Sequence, residues 1–307
     1  MKSSNFEFKG VDNLSLFTYL WEPEDNIKKK GIIQVIHGLA EHAKRYGRFA
    51  QFATSNGFIV VADDHRGHGK TAKNEEELGY LGEKDGFQKM VEDEYLLTKL
   101  MKEKYPNLPY FILGHSMGSF ISQRYIEEYG KELNGVILSG TAGPNPLLLV
   151  PGKLVAKLVM LLNGLKKKSS FLNNLSFGTY NNAFKPNRTA FDWLSRDEKE
   201  VDKYIEDPFC GFVCSSSLYY FLSKGMLQMH KKSNLILIPK SLPVFIVSGS
   251  KDPVGSQTVP NLYKLYLKIG MNDVEMKLYE NARHEILNEI NREEVTRDII
   301  SWINRHL

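Results

Sequence analysis

Gly-His-Ser-Met-Gly occupies residues 114–118, between the apolar run at residues 110–113 and an amphipathic stretch that begins at Met117. A serine between glycines at a strand-to-helix turn is the pattern of a nucleophile elbow. The turn is so tight that the positions two before and two after the serine tolerate almost no side chain, and Gly114 and Gly118 meet that need. Such a turn lifts the Ser116 hydroxyl above the carboxyl ends of the strands, where ligands bind in an open α/β sheet. The Met117 amide then starts a helix, where unpaired N–H groups favour a developing oxyanion.

A serine hydroxyl is a weak nucleophile until a base takes its proton and a carboxylate orients that base. In this arrangement the acid and then the base follow the serine along the chain. Of eight histidines, His230, His284 and His306 lie beyond Ser116. His306 falls in the C-terminal turn and His230 in an irregular region before Lys231 and Lys232. His284 directly follows a strand pattern and is placed at the start of the last helix. Asp252 ends the strand pattern in "VFIVSGSKDPVG", where a rigid sheet fixes a loop side chain. Asp192, Asp197, Asp202 and Asp207 read as surface charges, and Asp273 precedes its strand at the wrong edge. A second oxyanion donor is expected in the loop "HGLAEH" at 37–42. Gly38 permits close backbone approach there, and the Leu39 amide is the candidate. His37 and His42 lack the H-E-x-x-H pattern and read as structural.

These groups need a scaffold that alternates strands with helices. Strands are expected at 32–36, 58–62, 110–113, 135–139, 243–248 and 274–279. Helices are expected at about 43–55, 86–105, 117–129, 259–267 and 285–307, after an antiparallel hairpin in the first twenty residues. This alternation implies an α/β fold whose mostly parallel sheet is covered on both faces. Residues 143–240 break the alternation and are too long for a loop, so they form an inserted helical cap between two core segments, 1–142 and 241–307.

Composition narrows the field. The net charge of +4 is too small to argue for nucleic acid. The two cysteines, Cys210 and Cys214, lack zinc-site spacing and read as free thiols of a reducing compartment. No metal, organic cofactor or obligate protein partner is implied. The N-terminus lacks the apolar core of a signal peptide, and no uncharged run of about 18 apolar residues suggests a membrane span. A cytoplasmic protein is expected, with peripheral contact at the inner membrane face. "GHGKT" at 67–71 ends like a phosphate-binding loop, but Asp64 stands where its first glycine belongs.

Four stretches together carry a family resemblance: "HGLAEHAKRY" (37–46), "DHRGHGKT" (64–71), "GHSMGS" (114–119), and "GSKDPVG" with "ARHEILNE". The sequence resembles the monoacylglycerol lipase and lysophospholipase branch of the α/β-hydrolases, which includes hydrolases of the serine aminopeptidase S33 type. The resemblance runs from about residue 10 to the end and is weakest across the insertion. It implies Ser116 as nucleophile, Asp252 and His284 as its partners, and the Leu39 and Met117 amides as the oxyanion hole. It further implies that Glu41 and Arg45 shape a polar pocket by the acyl site. Leu287 stands where animal monoglyceride lipases carry a second histidine near the glycerol group, so glycerol recognition is expected to differ. Thr71 replaces the usual serine of its loop, a mild structural change.

The expected reaction is hydrolysis of monoacyl lipid esters through an acyl-enzyme. A general small-ester carboxylesterase and an aminopeptidase-like amide hydrolase stay open as alternatives. A non-catalytic binding module is disfavoured because all three side chains of a triad are present. In the insertion, Leu154, Val155, Leu158, Val159, Leu162 and Leu165 fall on one helical stripe, with Lys166–Lys168 just beyond. Such a stripe can simply pack on the core. It can also line an acyl tunnel, which makes Leu158 and Leu162 candidate substrate contacts, with the lysines beside anionic headgroups.

Overall fold

In the computed structural model of the chain, which describes residues 1–255 and 257–307, eight strands form one sheet in the order β1-β2-β4-β3-β5-β6-β7-β8. β1 (Lys2–Lys9) and β2 (Ser15–Glu22) make the antiparallel hairpin. β3 (Gly31–Ile36), β4 (Phe58–Asp63), β5 (Tyr110–His115), β6 (Gly135–Ser139), β7 (Val244–Gly249) and β8 (Val274–Tyr279) run parallel. β3, β4, β6 and β7 are rich in β-branched residues, and with β5 they are buried along their whole length, as a sheet covered on both faces requires.

Alternate residues of each strand feed two separate cores. Ile32, Ile36, Ile59 and Val61 face one; Ile33, Val35, Val60 and Phe58 face the other. The second core is covered by α1 (Gly47–Ser55) and by the last helix of the chain, through Phe49, Ala50, Val295, Ile299 and Trp302. A short 3-10 turn, Ala43–Tyr46, precedes α1, so the expected helix at 43–55 is split. The first core is covered by α2 (Gly86–Lys104) and α3 (Met117–Tyr129), together with a helix after β7.

Between β6 and β7 the chain builds five helices: α4 (Pro146–Asn163), α5 (Ser170–Phe177), α6 (Glu198–Glu206), α7 (Ser216–Gln228) and α8 (Lys232–Leu235). The starts of the first four are encoded locally. Asn145, Ser169, Asp197 and Ser215 each accept a hydrogen bond from a first-turn amide with the side chain. α9 (Val259–Lys268) and α10 (Arg292–Arg305) complete the core.

α4 departs from expectation. Among the described residues it is the one helix long and apolar enough to cross a membrane, and only 6% of it is buried. The criterion of an uncharged run missed it because Lys153 and Lys157 interrupt the sequence. It is instead laid against α7, with Val155 and Val159 packed on the first core.

The last helix begins at Arg292, later than expected. The reason is the Glu289 carboxylate. It accepts from the amides of Arg283, Arg196 and Ile290 and so organises residues 283–290 as a loop with one 3-10 turn, Ile286–Asn288, rather than as part of an α-helix.

Candidate active site

The chain crosses from β3 to β4 on one side and to β5 on the other, so the ends of β3 and β5 part at a topological switch point. Ser116 follows β5 there, at φ +53° and ψ −119°, a conformation rare for a residue with a side chain. The surroundings hold it in place. The Ser116 amide donates to the Ser139 carbonyl at 2.9 Å. A Cβ on Gly114 would lie 2.2 Å from Ser122 Oγ, and one on Gly118 would lie 2.0 Å from the Ile36 carbonyl oxygen. Both glycines are therefore sterically required.

His284 Nε2 lies 2.9 Å from Ser116 Oγ, and His284 Nδ1 lies 3.0 Å from each oxygen of Asp252. Asp252 also accepts from Ser248 Oγ (3.0 Å) and the Val254 amide (2.9 Å). These partners leave Nδ1–H as the donor to the carboxylate and Nε2 free to accept from the serine. Burial works against charge on Asp252, but His284 and the hydrogen bonds outweigh it and hold the carboxyl below its usual range. Burial likewise works against charge on His284, and Asp252 outweighs it, so the imidazole is raised above its usual value. His284 sits in the loop after β8, not at a helix start.

On the other side of Ser116 lies the loop after β3. A Cβ on Gly38 would come within 3.2 Å of Ser116 Cβ, so the loop backbone flanks the hydroxyl. Among the described residues neither the Leu39 nor the Met117 amide donates to a protein acceptor. Both residues line the cavity over Ser116. Glu41 holds this loop with one oxygen accepting from the Gly38 amide (2.6 Å) and Tyr46 hydroxyl (2.9 Å), and the other from Arg45 (2.6 Å).

Arg45 also forks onto both oxygens of Glu285 at 2.7 Å. Burial opposes the charge on Glu285, yet Arg45 overcomes it and pulls the carboxyl down to about 2. The clamp Glu41–Arg45–Glu285 thus ties the loop after β3 to the loop that carries His284. Glu41 and Glu285 line the cavity; Arg45 stands behind them. Glu285 was not singled out in the sequence, although it adjoins His284. Trp193 and Leu194 were missed as well. Their carbonyls accept from the amides of His284 (3.3 Å) and Glu285 (2.7 Å), and the Trp193 ring lies 5.2 Å from that of His284.

The cavity measures about 730 Å³. Its walls are largely apolar and come from the insertion, with Leu149, Val155, Phe177, Phe191 and Met226 among them. Leu158 and Leu162, expected there, are not: they are 58% and 76% exposed on the outer side of α4. The inner side is formed by Leu148, Leu149, Gly152, Val155 and Ala156, because the helix turns a different sector toward the sheet. Leu287 also lies outside the cavity, packed against the second core beside α10.

The remaining candidates have structural partners. His37 Nε2 accepts from the His65 amide (3.1 Å) and its ring stacks on His65 at 3.7 Å. His42 pairs with Asp207, and His230 with Gln123. His306 is fixed at the end of the last helix by the Trp302 carbonyl and Asp273. Asp192 is buried and closes a turn through the amides of Arg188 and Thr189, so it is no surface charge.

A mostly parallel sheet with an elbow serine, a strand-end aspartate and a loop histidine in that order defines an α/β-hydrolase. The chain belongs to the serine aminopeptidase, S33 family, whose model matches residues 27–291. It is 30% identical to a monoacylglycerol lipase of Mycolicibacterium smegmatis, covering 99% of this chain and 98% of that one. It is 29% identical to the monoglyceride lipase of Homo sapiens, covering 96% and 87%. A highly thermostable carboxyl esterase from Bacillus coagulans, solved in complex with glycerol, superposes with a TM-score of 0.91 at 32% identity, covering 99% and 98%.

Proposed function

We propose that this protein is a serine hydrolase that cleaves monoacyl lipid esters, with Ser116 as nucleophile, His284 as base and Asp252 as its orienting acid. The observation that carries this reading is the unbroken hydrogen-bond chain from Ser116 Oγ through His284 to Asp252 on the floor of an apolar cavity. Ser116 Oγ attacks the ester carbonyl while His284 Nε2 takes its proton. The resulting oxyanion is held by the Leu39 and Met117 amides. His284 then protonates the leaving alcohol, and water repeats the sequence to free the acid.

The segment 143–240 acts as a cap that walls the acyl chain, while Glu41 and Glu285 offer acceptors to hydroxyls of the alcohol. The relatives named for monoacylglycerol and monoglyceride lipase activity, and the esterase solved with glycerol, support this division. The outer leucines of α4, with Phe171 and Leu175, are exposed together and suit contact with a lipid surface. A reducing, cytoplasmic setting with peripheral membrane contact fits the two free thiols.

The test is release of fatty acid from a monoacylglycerol, together with labelling by a fluorophosphonate. The reading requires both in the wild type and neither in Ser116→Ala. Activity on small acyl esters with none on monoacylglycerol would instead support a general carboxylesterase, as the name of the Bacillus coagulans relative suggests.

A further inference from the structure

His42, Asp207 and Cys210 bring three different metal-ligand types together, with a ring nitrogen, a carboxylate oxygen and Sγ all within 4.8 Å of one another. None of the three belongs to the hydrogen-bond chain at Ser116. We propose that they form a binding site for a borderline-soft divalent cation of the zinc class, joining the loop after β3 to the inserted segment.

The backbone presets the site. His42 is extended, at φ −151° and ψ 161°, just before the 3-10 turn that follows the Glu41 loop. Asp207 ends α6, and its carbonyl and side chain receive the amides of Cys210 and Phe209, both at 2.9 Å. This turn is fastened to the loop after β3, because the Gly211 amide and the Tyr204 hydroxyl both donate to the Ala40 carbonyl at 2.9 Å. His42 Nε2 already lies 2.9 Å from Asp207 Oδ2. Ligands around tetrahedral zinc sit roughly 3.3–3.7 Å apart, so the pair needs to open by only a few tenths of an ångström.

Charge and chemistry agree with a cation. Asp207, Glu41 and Glu285 outnumber Arg45 around the Cys210 thiol. Among the described residues the Cys210 thiol makes no hydrogen bond, so its sulfur is free to ligate. A cation that takes the thiolate as ligand displaces the thiol proton to solvent. His42 and Asp207 also border a separate cavity of about 520 Å³, which gives the ion a path and a water for its fourth position. Lys44, Lys70 and Lys203 line the same cavity but are exposed, so the selectivity comes from the donor set rather than from net charge. A second cluster, Asp63, His65 and Glu94, is fully buried, unlike the partly exposed Asp207 site, but has no thiol and borders neither cavity.

The experiment titrates chelator-stripped protein with zinc chloride by calorimetry and, in parallel, with cobalt(II) by absorption. One zinc per chain should bind with micromolar or tighter affinity and release about one proton. Cobalt should show a thiolate charge-transfer band. The melting temperature should rise by roughly 5 °C at a hundredfold excess over Kd. Cys210→Ser should abolish the band, weaken zinc at least tenfold, and keep ester hydrolysis. Ser116→Ala should bind zinc as the wild type does. No binding up to about 1 mM, a cobalt spectrum without a thiolate band, or equal affinity in Cys210→Ser would each overturn the site. The cobalt spectrum needs no variant, so a folding defect in Cys210→Ser leaves the proposal testable. Ester hydrolysis is not the readout, so failure here leaves the reading of Ser116 untouched.

Discussion

Ser116 is held at φ +53° by the steric demands of its neighbours, and a left-handed backbone costs a residue with a Cβ about 1 kcal/mol or more. Two substitutions separate this strain from the chemistry. Ser116→Ala and Ser116→Gly should both lower kcat by a factor on the order of 10⁶. The glycine variant should be the more stable of the two by about 1 kcal/mol, since glycine adopts that conformation freely. Denaturant midpoints check this, and equal midpoints would remove strain from the account. On the proposed mechanism His284 sets the pH dependence. It must be neutral to accept the serine proton, so the rate falls as pH drops through its pKa. Burial lowers that pKa, but Asp252 outweighs burial and raises it above the ordinary 6.5. The acid limb of kcat/KM should therefore lie above pH 6.5 in the wild type and move down in Asp252→Asn. That variant should also lose kcat by about 10⁴. An acid limb that Asp252→Asn leaves in place would assign the titration to another group.

At the scale of elements, the site depends on two loops from distant parts of the chain being held at a fixed separation. The Arg45 fork to Glu285, with Glu41 on the same guanidinium, does this between the loops after β3 and β8. Removing one member of a buried ion pair leaves a charge short of its partner. Glu285→Gln should thus cost about 3 kcal/mol at neutral pH. The Glu285 carboxyl is pulled from 4.5 down to about 2, so its contribution is complete above the usual carboxylate pKa and is lost as pH falls toward 2. The gap between wild type and variant, read from urea midpoints, should close over that acid window. A gap independent of pH would mean that shape, not charge, holds the loops. The elbow, Asp252 and His284, which the structure brings within hydrogen-bond reach of one another, were legible because the elbow has a strict local pattern and the other two follow strand patterns in the expected order. The sequence did not reveal Glu285, although Glu41 and Arg45 at i,i+4 spacing left one arginine fork free to be matched. Nor could periodicity say which side of α4 faces the sheet. The apolar residues of that helix wrap most of its circumference, and only tertiary packing distinguishes Val155 from Leu162.

At the scale of the whole molecule, α4 carries apolar surface on both sides, one toward the cavity and one toward solvent, and the two sides should govern different steps. Val155 and Ala156 line the cavity, whereas Leu154, Leu158, Leu161 and Leu162 are exposed. An acyl chain entering the cavity gains about 0.8 kcal/mol per methylene buried, so kcat/KM on dispersed monoesters should rise by up to roughly fourfold per methylene from acetate toward longer acids, until the cavity is full. Val155→Asp places a carboxylate on that wall and should flatten the series, with the acetate ester least affected. Leu162→Asp leaves the wall intact. It should match the wild type on dispersed esters and fall behind on monoacylglycerol embedded in vesicles, where the proposed lipid contact of the outer side comes first. Triacylglycerols should be poor substrates throughout, because three chains cannot fit beneath the insertion. A best rate on the acetate ester would point to a small-ester hydrolase. Equal loss from Leu162→Asp on dispersed and embedded substrate would mean that the outer side of α4 acts through the cavity rather than through the lipid.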